Sequence, residues 1–165
     1  MEFFYPNWIN DFWRIMGIIF FEDKGHFEVK GEKRFDKDHI VEFAQEQGLA
    51  LFDTATKVKR LNDDASDKFL EILEPTDVIE LLVKIPDCHR IVTTGGKASD
   101  ELLTQLSGYI DWNGAKPEQP KVGEKISFKI GDRDMEWWRM PSSSRAYPLA
   151  IEKKAEQYKK LFSFF

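Results

Sequence analysis

An α/β domain with a largely parallel sheet is what this sequence predicts, on three observations. Short apolar runs alternate with segments of three- and four-residue apolar spacing. Two of the runs exit into glycine or proline, at Thr94-Gly95-Gly96 and at Met140-Pro141. The 165 residues are 42% hydrophobic, which suits one domain over residues 1–165 with one core.

The elements follow in order. Residues 7–21 read as a helix whose apolar face is Trp8, Phe12, Ile15, Met16 and Ile19. Residues 25–35 are charged and carry glycine, so they form a loop or a short hairpin. Asp36 is an N-cap for a helix over 37–47, with Ile40, Val41 and Phe43 inward and Gly48 as its stop. Residues 49–52 read as a buried parallel strand ending at Asp53. A polar connection follows, then helices at 67–73 and 76–84. A strand at 90–93 leads through Thr94-Gly95-Gly96 into a helix at 97–106. Two prolines and two glycines make 109–123 a loop. Strands at 125–130 and 135–140 flank a Gly131-Asp132 turn, Pro141 ends the second, and 149–162 is an amphipathic helix.

Composition narrows the class. Residues 1–165 hold no apolar run of membrane-spanning length, and the aromatic N-terminal stretch lacks a basic start and a cleavage site. A single cysteine, Cys88, gives neither a disulfide framework nor a cysteine metal cluster. The expectation is a cytoplasmic protein without metal or cofactor. The net charge of −5 runs against nucleic-acid binding, although basic residues cluster at Lys57, Lys59 and Arg60, at Arg133 and Arg139, and at Arg145. Lys153, Lys154, Lys159 and Lys160 read most simply as a solvated helix face.

In open α/β sheets ligands bind at the carboxyl ends of the strands, so three segments are read for chemistry. In Pro141-Ser142-Ser143-Ser144-Arg145 a proline ends a strand and three hydroxyls follow with free backbone N–H groups, a composition able to hold phosphate oxygens. A plain polar turn has the same composition. In Thr94-Gly95-Gly96-Lys97 the glycines admit close backbone approach, and the helix N-terminus favours an anion, although the glycine spacing is not that of a nucleotide P-loop. In the N-terminal segment Asn7 is a possible N-cap and Tyr5 a possible core aromatic.

In this order the segments resemble the uracil-DNA glycosylase superfamily, above all its mismatch-specific thymine/uracil and deoxyinosine (hypoxanthine) branches. The resemblance rests on Tyr5 before Asn10-Asp11-Phe12-Trp13, on Gly48-Leu49-Ala50-Leu51-Phe52-Asp53, on Ile91-Val92-Thr93-Thr94-Gly95-Gly96-Lys97, and on residues 141–146. It implies a three-layer α/β/α fold with a short, mainly parallel central sheet, and a glycosylase acting in DNA repair. Three departures stand out. The family's first strand and its motif lie upstream of the aromatic, so the resemblance implies that they are missing here and that a sheet edge is left open to homodimer pairing. Thr94 stands where relatives often have Asn, and Asp11 where they have Arg.

The resemblance also implies roles. Tyr5, Asn7, Thr94 and Gly95 would bind a flipped base, Asn10 and Asp53 would serve catalysis, and Lys97, Ser142, Ser143, Ser144 and Arg145 would hold DNA. The activity implied is hydrolysis of the N-glycosidic bond to a deaminated base, uracil or hypoxanthine. The alternative is a non-catalytic DNA-binding relative. With no lysine standing out as a Schiff-base nucleophile, monofunctional chemistry is expected.

Overall fold

The computed structural model describes residues 4–60 and 70–162. The protein is a mixed α/β chain of two compact units, Met1–Phe52 with Pro141–Phe165, and Asp53–Met140.

The first unit is helical. Helix α1 spans Phe12–Phe21, α2 spans Lys37–Glu46 and α5 spans Ile151–Lys159. Its core is aromatic: Phe12, Trp13, Phe27, Phe35, Phe43 and Tyr158 are buried with Ile15, Met16, Ile19 and Ile40. Helix α1 begins later than its apolar spacing predicts, because Asn10 turns the chain first, its Oδ1 accepting from the Phe12 N–H at 2.9 Å. The Asp36 cap forms as expected, accepting from the His39 N–H at 3.2 Å. Gly48, at φ +64°, ends α2 with two helix-closing bonds, Gly48 N–H to Gln45 O and Leu49 N–H to Ala44 O. Of the loop or short hairpin expected at 25–35, the structure shows a tight turn-rich segment closed by a single antiparallel bridge between Glu28 and Phe35.

The strand predicted at 49–52 does not form. Leu49 is consumed by the α2 cap, and Phe52 is 59% exposed, so that run has neither a ladder partner nor a core to face.

The second unit carries the strands. β1 (Ala55–Arg60) and β2 (Leu70–Pro75) form an antiparallel pair, while β3 (Arg90–Thr94), β4 (Lys125–Ile130) and β5 (Arg133–Met140) form a sheet in the order β3-β5-β4. The predicted helix at 67–73 is corrected over 70–73, which lies in β2; residues 67–69 fall outside the described residues. β2, Leu-Glu-Ile-Leu-Glu-Pro, pairs with the Thr- and Val-bearing β1, so ladder partners override a weak helical pattern. The largely parallel sheet is corrected too: β3 runs parallel to β5, but β4 and β5 are joined by the tight Gly131-Asp132 turn and must run antiparallel.

Helices α3 (Val78–Lys84) and α4 (Gly96–Leu106) pack with this sheet. Leu82, Leu102, Leu106 and Ile110 enclose Phe128, Met135 and Trp137, with Trp137 and Leu106 fully buried. Strand alternation sends Met135 and Trp137 inward and leaves Asp134, Glu136 and Trp138 on the other face.

Candidate functional site

The first unit brings the N-terminal segment and the serine turn together. Asn10 and Ser144 form an antiparallel bridge, with Asp11 N–H donating to Ser143 O at 2.9 Å and Arg145 N–H to Ile9 O at 3.3 Å. Side chains reinforce the junction: Arg145 Nε donates to Asp11 Oδ1 at 3.0 Å, and Arg14 Nη1 reaches the same oxygen at 3.2 Å. Arg14 is 2% exposed, also donates to Glu28 Oε1 at 2.5 Å, and lies over the Trp8 ring at 4.2 Å. Asp11 is thus a buried carboxylate serving two guanidinium groups.

Within the turn Ser142 Oγ accepts from the Ser144 N–H, and Ser144 Oγ from the Ala146 N–H, both at 3.2 Å. These hydroxyls shape the turn, and Ser143 is buried. Its carbonyls point inward: Pro141 O accepts from Tyr158 Oη at 2.8 Å, Ser143 O from Asp11 N–H, and Ser144 O from Lys154 Nζ at 2.7 Å. Among the described residues no acceptor meets the N–H of Ser142 or Ser143.

Tyr5 is half-buried and stacks on Phe12 at 4.6 Å, and Phe12 meets Tyr158 edge-on at 6.3 Å. Tyr5 sits in the left-handed region, at φ +54°. Asn7 is exposed and its Oδ1 accepts from the Ile9 N–H at 3.1 Å, while Asn10 Oδ1 is engaged at the start of α1.

In the second unit the remaining predicted residues fall at two places. Thr94 ends β3 opposite Met140, at the carboxyl end of the parallel pair. Gly95 caps α4 at φ +133°, and Lys97 lies in its first turn. A buried polar chain fixes this turn: Trp137 Nε1 donates to Thr93 Oγ1 at 3.1 Å, Thr93 Oγ1 meets Ser99 Oγ at 2.9 Å, and Ser99 Oγ donates to Gly95 O at 2.8 Å. Asp53 is exposed before β1, its carbonyl accepting from Thr76 Oγ1 at 2.6 Å.

Sequence reasoning missed Lys154 and Arg14. Lys154, read as part of a solvated face, is 1% exposed, and burial holds its pKa below the usual lysine value despite the nearby Asp11 charge. The signal was present: Ile151, Lys154, Ala155, Tyr158 and Leu161 follow one helical stripe, which places Lys154 inward. Tyr158, from the same stripe, has its phenol pushed well above the usual value by burial, with Tyr5 adding to the rise.

Among the described residues no cluster of three or more His, Cys, Asp or Glu is arranged to hold a metal ion. No described helix is long and apolar enough to cross a membrane. No family model, curated protein or solved structure matches the chain.

Proposed function

We propose that the protein is a DNA base-excision glycosylase of the uracil-DNA glycosylase type, hydrolysing the N-glycosidic bond to uracil or hypoxanthine. The observation that carries this reading is the junction of Tyr5–Asn10 with the serine turn. Two segments about 130 residues apart in sequence, each singled out for the same chemistry, are bonded by Asp11 N–H to Ser143 O, Arg145 N–H to Ile9 O and Arg145 Nε to Asp11 Oδ1. The three-layer fold and a cytoplasmic location belong to the same proposal. So does homodimer pairing through an open edge of the three-stranded sheet.

The chemistry follows from what these groups can do. Removing a base from the stack costs a few kcal/mol. Stacking on an aromatic such as Tyr5 returns about 1–3 kcal/mol. The half-buried Ser142, whose N–H meets no acceptor among the described residues, and the exposed Arg145 suit a backbone phosphate. Cleavage leaves negative charge on the departing base, and preorganised amide donors lower the barrier to it. The Gly95-Gly96 turn, held by Ser99 and Thr93, offers such donors. Asn10 and Asp53 remain the proposed catalytic groups, Asn7 and Thr94 contacts to the base, and Lys97 a DNA contact.

A second reading, DNA binding without catalysis, is favoured by one observation: Asn10 Oδ1 already accepts the Phe12 N–H rather than standing free for water. A base-release assay on single- and double-stranded oligonucleotides containing uracil or hypoxanthine decides between them. Release supports the glycosylase. Binding without release supports the second reading, and neither binding nor release removes both.

A further inference from the structure

A pair of imidazoles joins the turn after α1 to the start of α2. A Cβ on Gly17 would collide with the Asp23 carbonyl, so glycine there lets the turn lie close against α1. Within the turn the His26 N–H donates to Asp23 O, and the Asp23 N–H to Gly17 O, both at 3.2 Å. The His26 ring stacks on Phe21 at 3.5 Å and 8°, and lies 4.8 Å from the ring of His39 in the first turn of α2. Phe27 meets both imidazoles, at 4.9 Å and 5.1 Å, and packs on Phe43. Phe27 and Phe43 are both buried, so the pair adjoins the aromatic core. His26 Nε2 is itself buried, with no hydrogen-bond partner among the described residues.

We propose that His26 and His39 form a proton-operated latch, closed while both imidazoles are neutral and released when His26 takes up a proton. The latch needs no part of the glycosylase reading. A neutral imidazole stacks as an aromatic ring. A protonated one donates from both nitrogens, and here Nε2–H would be a buried donor without an acceptor, beside a second imidazole. The titratable groups acting on His26 are His39 from α2 and Asp23 from its own turn, while α1 presents the uncharged Phe21 and Gly17. Burial, and after it His39, lower the His26 pKa; Asp23 opposes them, but it is exposed and screened by solvent. A histidine held below its ordinary value of about 6.5 stabilises the closed turn above that pH and loses the contribution as pH falls below it.

The test uses the full chain labelled with nitrogen-15, its histidine side chains titrated by NMR and its backbone amides followed by hydrogen exchange. His26 is expected to titrate below the ordinary histidine value. Exchange at the Asp23 and His26 amides, relative to their intrinsic rates, should quicken by up to about tenfold per pH unit below about pH 6.5, the most that one linked proton allows. The α5 amides should keep their protection, which separates local release from unfolding. His39→Gln, which removes the neighbouring imidazole, should move the His26 titration upward and shrink the exchange step. His26→Phe, which keeps a ring on Phe21 and deletes the buried nitrogen, should hold the turn protected in acid. Should His26→Phe fail to fold, the His26 titration in the unmodified chain and in His39→Gln decides. A His26 that titrates at or above the ordinary value overturns the latch. So does a turn equally protected on both sides of about pH 6.5, α5 protection lost in step with the turn, or a folded His26→Phe protein that still opens in acid.

Discussion

Arg145 and Asp11, 134 residues apart, meet through Arg145 Nε and Asp11 Oδ1 at 3.0 Å. The same oxygen holds Arg14, so one buried carboxylate joins an inner guanidinium to an outer one whose side chain is 45% exposed. The two arginines therefore have different consequences when the network is cut. Arg145→Ala removes a half-exposed pair, worth at most about 1 kcal/mol of stability. It should nevertheless weaken binding to an abasic-analogue duplex and lower the salt slope of that binding by about 1. Asp11→Asn strips Arg14 of one of its two carboxylates and should cost roughly 3 kcal/mol in denaturant unfolding. Equal stability of the two variants would contradict this division.

Glu136 predicts how the second unit responds to acid. Burial alone would raise its pKa, but bonds from Lys125, from Trp138 Nε1 at 2.8 Å and from Arg90 Nε at 3.1 Å outweigh it and hold the carboxyl at about 2. A depressed carboxylate stabilises the fold above its unfolded value of about 4.3 and loses that contribution as pH falls toward 2. Stability should thus decline between about pH 4.5 and 2, by one to a few kcal/mol from this group. Glu136→Gln should flatten that part of the curve, as measured by chemical denaturation across pH.

The Gly95 turn is held from behind by Ser99 and Thr93. Ser99→Ala leaves the Gly95 carbonyl without its Oγ donor and Thr93 without one partner, a loss of about 1–3 kcal/mol. Gly95→Ala meets open space, yet φ +133° is strained for any residue with a Cβ, so it should also destabilise. If the turn supplies donors to the leaving base, both variants should lower the rate of base release more than DNA affinity. A parallel fall in the two would make the turn merely structural.

The elements legible in the sequence were those with local signals: the Asp36 cap, the Gly48 stop, the Gly131-Asp132 turn and the strands on either side of it. The hairpin of β1 and β2 was missed because pairing between strands is a non-local choice that a short apolar run does not announce. Residues 49–52 failed for the converse reason, since an apolar run looks like a buried strand whether or not a sheet is there to receive it. At the candidate site, residues 5–10 and the serine turn were singled out separately, and their junction is a non-local contact that the structure adds. Lys154 and Arg14 were not singled out, because a cation in an apolar stripe is ordinarily read by its charge rather than by its position.

Tyr5 offers the sharpest separation of binding from folding. A non-glycine residue at φ +54° carries roughly 1 kcal/mol or more of backbone strain, and strain of this kind persists only where the surroundings impose it. The ring of Tyr5 stacks on Phe12 at 4.6 Å, and Phe12 in turn meets Tyr158, which holds the serine turn. Tyr5→Gly relieves the strain while deleting the ring, so its effect on stability should be small, within about 1 kcal/mol. If the ring stacks against a flipped base, the same substitution should cost about 1–3 kcal/mol of affinity, tenfold or more, for a lesion-bearing oligonucleotide. Tyr5→Phe keeps the ring and should bind as the unmodified chain does. Thermal unfolding and fluorescence-anisotropy titration of the two variants read these quantities independently. A Tyr5→Gly protein that binds normally would remove the aromatic from the proposed pocket, whatever its effect on folding.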